Sequence, residues 1–411
     1  MPRFETRRWA PDPTAMGGRR NRQAFAYKAF VPDEIASVEP ELSSKVAGLL
    51  SEAERAVQTL NLDPPNLANL EVLARRLLRA ESVASSWIEG LRISQRRLAR
   101  AEALEEEASD VTARSVLGNV AAMEQAVQLA DLNRDLRLND LLKIHKTLMT
   151  STERPEGAGS LRVEQNWLGG TPYNPLAAEF IPPPPELVAP LMADLLRFVA
   201  RTDLQASVQA AVAHAQFETI HPFGDGNGRV GRALIQIVLR RRGLAPCFVP
   251  PMSLVLAANS ARYVGGLVAF REGRLADWLT VFATSLGAAA RKSVELAAEL
   301  TRLQQAWRER CGQPRRDSSA EALIQLLPAH PVLTVEAAAT LLKRSKQAAN
   351  EALGALEAAG VVKQTSIGQR NRAFEAVEMV RLVDAFEREL AIPEDGSSPR
   401  RPAPAGGRHR R

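Results

Sequence analysis

The chain has 411 residues, 45% of them hydrophobic and 24% charged, with a formal charge of +6. That length and apolar share describe a globular protein of about two or three domains and exclude a disordered or fibrous chain. Two cysteines far apart, Cys247 and Cys311, exclude a disulfide framework, and no apolar run resembles a signal peptide or approaches membrane-spanning length. The expectation is a cytoplasmic protein with no membrane partner.

The positive charge sits at the ends. Residues 1–24 hold six arginines against Glu5 and Asp12, and residues 391–411 hold five against Glu394 and Asp395. Both ends are rich in Pro, Gly and Ser, so 1–24 and 391–411 read as disordered basic tails. Residues 25–115 read as an N-terminal helical region. Leu67, Leu70, Leu73, Leu77 and Leu78 share one face of a helix that runs on to Ser86. Near its end stand Ser85, Glu89 and Gly90, spaced Ser-x-x-x-Glu-Gly, with the glycine as helix stop. Residues 116–150 read as a helix pair in which His145 sits among Leu138, Leu141, Leu142 and Leu148, a pattern for a packed or hydrogen-bonded histidine.

Residues 157–185 change character. Gly157, Gly159, Gly169 and Gly170 alternate with extended-looking segments, Leu161–Val163 and Asn166–Leu168, which predicts a short β-hairpin followed by loop. Two helices fill 186–220, and the second delivers His221.

The stretch His221-Pro222-Phe223-Gly224-Asp225-Gly226-Asn227-Gly228-Arg229-Val230-Gly231-Arg232 carries the chemistry. A glycine-rich turn feeding a helix N-terminus is an anion cradle, because unpaired N–H groups and the helix dipole face the same way. Arg229 and Arg232 lie three apart and form a fork for phosphate oxygens. Asp225 is a hard oxygen ligand suited to Mg2+ on a polyphosphate, and His221 is a titratable base at the mouth of the turn. Residues 244–300 are again mostly helical.

Gln313–Ser319 reads as a linker. In 317–390, Thr334 caps a helix over Val335–Leu342 and Ser345 caps another over Lys346–Ala359, which Gly360 ends. Val361–Lys363 and Arg372–Glu375 then fit two strands around Gly368, so the segment reads as a small winged helix-turn-helix module. Such modules bind DNA through the second helix. Eight Lys/Arg against ten Asp/Glu in 317–390 make a poor phosphate-binding surface, and an interaction or dimerisation role stands beside DNA.

Residues 221–232 match the motif His-Pro-Phe-x-Asp/Glu-Gly-Asn-Gly-Arg-x-x-Arg throughout, and on it the chain resembles the Fic family. The resemblance implies a mainly α fold, a Fic-type helical bundle with a β-hairpin flap, here with a C-terminal winged helix-turn-helix domain, and a catalytic core over 116–310. It implies transfer of AMP from ATP, with Mg2+ on Asp225, to a Ser, Thr or Tyr hydroxyl of a target protein. His221 would be the base, and Gly224, Gly226, Asn227, Gly228, Arg229 and Arg232 would hold the phosphates. Trp167, Leu168, Gly169 and Gly170 look like the flap segment that clamps the target, although an ordinary surface hairpin fits as well. Tyr263 stands where many members carry an aromatic pair near the adenine, but the partner position is Val264. Ser85, Glu89 and Gly90 match the family's inhibitory motif in its N-terminal, class II arrangement. Phosphotransferase members typically have Lys where this chain has Gly228, which argues against that branch. Removal of AMP by the same site, and a DNA-binding regulator with a nucleotide-sensing Fic domain, are alternatives; a homodimer is left open.

Overall fold

The computed structural model describes the chain apart from residues 1, 11–21, 63–69, 105–109, 133, 154, 172, 368–370 and 391–411. The expected tail at 391–411 and the wing tip at Gly368 therefore lie outside the described residues, as does Leu67. The N-terminus is corrected. Strand β1 (Arg3–Trp9) pairs antiparallel with β2 (Phe25–Val31) over seven residues, from Arg3 opposite Val31 to Trp9 opposite Phe25. Residues 25–115 are thus not helical throughout. Along β1 the half-buried positions are every second residue, Glu5, Arg7 and Trp9, as suits a strand with one face covered, and an apolar contact for β2 comes from the 157–185 region, where Phe30 N–H donates to Ile181 O and the Phe30 ring packs on Phe180.

Helices α1 (Ser44–Leu62), α2 (Leu70–Ile88), α3 (Gln95–Leu104), α4 (Val111–Ala130) and α5 (Leu138–Thr150) follow. Asp110 caps α4, accepting from Ala113 N–H at 3.1 Å, so this helix crosses the expected boundary at 115/116. The expected hairpin at 157–185 is also corrected. Leu161–Val163 and Asn166–Leu168 do not pair, and the only ladder contact there among the described residues is an isolated bridge between Leu168 and Phe180. Gly169 and Gly170 take positive φ beside that bridge and turn the chain back on itself.

Helices α6 (Pro185–Val199), α7 (Ala206–Ile220) and α8 (Asn227–Arg241) come next. Every residue of α7 from Ser207 to Ile220 is buried, so it has no solvent face. Helix α9 (Met252–Ala258) packs on α2, α10 (Ser260–Arg271) and the long α11 (Leu275–Arg310) pack on α7, and α11 runs along α1. Trp278 anchors this packing: it is fully buried, with its Nε1–H bonded to Ala211 O at 2.8 Å.

The C-terminal module contains α12 (Ser319–Leu326), β3 (Val332–Thr334), α13 (Val335–Leu342), α14 (Lys346–Ala358), β4 (Lys363–Ile367), β5 (Asn371–Glu375) and α15 (Val377–Leu390). Thr334 and Ser345 cap α13 and α14 as their sequence implied, and the three strands form one sheet in the order β3-β5-β4, both pairings antiparallel. The module is no detached lobe. Trp307 at the end of α11 is fully buried and donates to Glu378, and Gln304 donates to Ile324 O. On the far side, Arg76 of α2 donates to Pro328 O, and Arg96 of α3 binds the buried Glu375 at 2.7 Å.

Candidate functional site

Helices α7 and α8 form a buried hairpin, and the loop between them displays the motif. His221 ends α7 in the left-handed conformation, φ 51 and ψ 61, while its N–H closes the helix on Phe217 O at 2.9 Å. A non-glycine residue there costs roughly 1–2 kcal/mol, so the surroundings must hold it. Phe223 is fully buried, stacked on His145 with centroids 3.8 Å apart. His145 Nδ1 accepts from Gly159 N–H, which leaves Nε2–H to donate to Asp225 O at 3.1 Å. Burial holds His145 neutral, down to about 4. It is the hydrogen-bonded core histidine its setting implied, and it also fixes the loop.

The Asn227 side chain turns back into the loop. Its side chain clasps Phe223, accepting from the N–H and donating to the O, both at 2.8 Å. It shapes the cradle rather than reaching into it. Gly226 caps α8 at φ 77, a backbone that favours glycine. The first helical bond of α8 runs from Val230 N to Gly226 O, so the N–H groups of Asn227 and Gly228 have no intrahelical partner. Gly224 and Asp225 sit at the loop crest. The Asp225 carboxylate is 70% exposed, 3.6 Å from Arg229. No cluster of three or more acidic, His or Cys groups that could hold a metal occurs among the described residues. One exposed carboxylate fits a Mg2+ carried in on a polyphosphate, with the nucleotide and water supplying the remaining oxygens.

The two motif arginines differ. Arg232, 1% exposed, is saturated: Nε donates to Ser85 Oγ, and Nη2 to Ser85 O and to Glu89 Oε1, each at 2.8 Å. Arg229 is 4% exposed, and its Nε and Nη1 have no partner. The structure thus brings the whole Ser85-x-x-x-Glu89 pair to the end of the motif. Burial alone would raise the Glu89 carboxyl, but the charges of Arg232 and Arg229 outweigh it and hold it below the usual range. A Cβ on Gly228 would lie 2.1 Å from Glu89 Oε1, so a side chain there and this carboxylate exclude each other.

Buried polar staples fix α2. Asn119 of α4 donates to Ser82 O and Ser86 Oγ. Glu81 accepts from Ser253 N–H and Oγ–H at 2.7 and 2.6 Å, and burial pushes its pKa up to about 7. Gly90 ends the helix at φ 83. His221 itself is held down to about 4, first by burial and then by the charge of Arg162, so it is an unprotonated acceptor at neutral pH.

Two further expectations move. Tyr263 is 4% exposed; its hydroxyl is 2.9 Å from His214 Nε2 and its ring packs by Trp278, so it stands behind Arg232 and is not a wall for a base. Trp167 turns away from the motif, donating to Thr171 O and meeting Trp9 of β1 edge-to-face at 5.4 Å. Leu168 lies half exposed on the bridge to Phe180. The residues of this segment that touch the loop are Arg162 and Asn166, which sequence reasoning did not single out; Asn166 Nδ2 donates to Phe223 O at 3.0 Å.

Residues 135–239 match the model of the Fic/DOC family, and residues 47–128 match that of the Fic/DOC family N-terminal region. Over these two stretches the chain is similar to the Fic/DOC family. It is 29% identical over 125 residues to the protein adenylyltransferase fic-1 of Caenorhabditis briggsae, covering 30% of this chain and 23% of that one. With the protein adenylyltransferase Fic of Drosophila melanogaster it shares 34% identity over 119 residues, 28% of this chain and 22% of that one. The matched stretch spans about a quarter of these curated relatives. The crystal structure of a Fic family protein from Desulfovibrio desulfuricans covers 82% of this chain and 98% of its own, at 22% identity and a TM-score of 0.50. That likeness shows a shared Fic fold.

Proposed function

We propose that this protein transfers AMP from ATP to a hydroxyl of a target protein, and that Glu89 holds it in a weak state. The observation that carries the reading is the buried Arg229 guanidinium with two unpartnered nitrogens, facing the cradle where Arg232 is already taken by Glu89. A buried guanidinium whose one ion pair, to the exposed Asp225 at 3.6 Å, leaves two donors unmet is costly and calls for an anion. The fic-1 and Fic relatives are protein adenylyltransferases, which supports AMP as the group moved.

In this reading the free N–H groups at the start of α8, with Arg229, bind phosphate oxygens. Mg2+ on Asp225, when bound, neutralises charge on the polyphosphate. His221 takes the proton from the acceptor hydroxyl. The hydroxyl oxygen bonds to the α-phosphorus as the bond to pyrophosphate breaks, and the target keeps AMP. Catalysis of this kind is positioning plus charge stabilisation. Glu89 occupies Arg232, the outer tooth of the fork and the place for the γ-phosphate, and so turns the α-phosphate away from in-line attack. The test uses two labels. Incubated with cell lysate, the Glu89→Gly chain should label protein from [α-32P]ATP and not from [γ-32P]ATP. Labelling from the γ position instead would assign phosphate transfer and defeat the proposal.

A further inference from the structure

Arg162 belongs to no part of the motif, yet it holds the loop that carries His221. It is 7% exposed. Its backbone N–H donates to Pro222 O at 2.9 Å, and its side chain donates to four more carbonyls: Nε to His221 O at 2.9 Å, Nη1 to Glu164 O at 3.1 Å, and Nη2 to Pro183 O at 2.5 Å and Ile220 O at 3.4 Å. Among the described residues no carboxylate lies within ion-pair distance of it. A guanidinium buried against carbonyl dipoles alone is an expensive way to fill space, since an apolar side chain would pack there without desolvating a charge. Its hydrogen bonds fall on three successive carbonyls, Ile220, His221 and Pro222, at the place where the backbone takes the left-handed turn.

We infer that Arg162 is a positioning residue for the general base: its fork pins the carbonyls around His221, so that the imidazole is presented in one orientation to the phosphate end of α8. The inference rests on the transfer reading for its chemistry and on geometry alone for its structure. The fork is suited to the task because a planar guanidinium bonds several fixed acceptors at once, which an ammonium on a flexible stem does not. Asn166 acts on the next carbonyl, that of Phe223. Arg162 touches no reacting atom. Its loss should therefore spare nucleotide binding, which depends on Arg229 and the α8 N-terminus, and cost turnover, since a misplacement of about 1 Å is worth roughly 10^2-fold in rate.

The experiment compares full-length Glu89→Gly protein with the same chain carrying Arg162→Met or Arg162→Lys. Saturating transfer rate and ATP affinity by calorimetric titration are measured separately. The methionine variant should lose about 10^2-fold in rate with ATP affinity held within about threefold, and lysine should recover part of the loss. A rate within about threefold of the parent, or affinity falling in step with rate, overturns the inference. If the methionine variant does not fold, as judged by thermal melting, the lysine variant is held to the same two criteria. A readout without turnover separates this idea from the transfer reading. In protein labelled with [13Cε1]histidine, the His221 resonance, identified by its loss in His221→Ala, should move or split in either Arg162 variant while those of His214 and His330 stay in place. An unmoved His221 resonance overturns the inference even if the parent chain transfers no AMP at all.

Discussion

Arg229 and Arg232 lie one turn apart on α8, both almost fully buried, and their surroundings are opposite. Arg232 spends its guanidinium on Ser85 of α2 and Glu89 just past its end; Arg229 keeps two nitrogens with no partner. The same residue type on the same helix face is a closed contact in one place and an open one in the other. In the proposed reading the site takes an anion, and the protein's own carboxylate already holds one of its two arginines. The unmet donors show which half is which, since buried polar groups left without partners are tolerated only where something else completes them.

The bluntest way to break this comparison is to remove the base that serves both halves. His221→Ala should lower transfer by about 10^2–10^4-fold. ATP binding should persist, because Arg229 and the α8 N-terminus are untouched. Near-normal labelling by the variant would remove His221 from the mechanism.

Opening the closed half comes next. Glu89→Gly frees Arg232 and should raise transfer about 10^2-fold, the scale of correcting a misplaced reactant. The check is initial rate at saturating ATP against wild type, with the Glu89→Gly/His221→Ala double variant as background. Equal rates for wild type and Glu89→Gly would mean that the Arg232–Glu89 contact is structural.

A finer test compares the arginines directly. In the wild type, Arg229→Met should weaken ATP binding by about 10–10^2-fold, the value of a charge-assisted hydrogen bond to phosphate. Arg232→Met should change it by less than about threefold, because that guanidinium is already committed. In the Glu89→Gly background the two substitutions should become similar. Identical effects in the wild type would erase the distinction between an open and a closed tooth.

The arrangement of the motif was legible in the sequence, because its glycines, acid and arginines stand in order on one stretch that ends α7 and opens α8. The caps Thr334 and Ser345 were legible for a similar reason: each acts within three residues of itself. What was not legible is what depends on partners far along the chain. Strand β1 reads as a basic tail until Phe30 and Trp9 are seen against Phe180 and Trp167. Arg162 is an ordinary arginine until its five bonded carbonyls, Pro222 among them, are known. Tyr263 sits near the expected place in sequence, but packing with His214 and Trp278 sends it into the core. Glu89 meets Arg232 through a single bond at Oε1, with Ser85 accepting from the same guanidinium through Oγ and O. Only the Ser-x-x-x-Glu spacing hinted at that division.

The smallest expected effect is a pH slope, and it asks whether Glu89 satisfies Arg232 completely. Glu218 of α7 is buried beside the same arginine, yet its Oε1 has no partner. Burial pushes its pKa up to about 7; Arg232 acts against that rise, and Glu89 adds to it. A carboxyl whose folded pKa lies above its unfolded value near 4.5 binds its proton more tightly in the folded state. Its contribution to stability is therefore present at low pH and is lost as pH rises from about 4.5 through 7, by at most about 1.4 kcal/mol per pH unit, or tenfold in the folding equilibrium. Glu218→Gln removes that titration, so the variant should gain stability relative to wild type as pH climbs from 5 to 8. In Glu89→Gly, Arg232 is free to pair with Glu218 and the repelling charge is gone. The Glu218 pKa should fall, and the advantage of Gln over Glu at pH 8 should shrink or reverse. Urea denaturation of the four proteins at pH 5, 6.5 and 8 completes the cycle. If Glu218→Gln has the same effect at every pH in both backgrounds, Glu218 does not sense the occupation of Arg232, and the closed half of the site is not set by Glu89 alone.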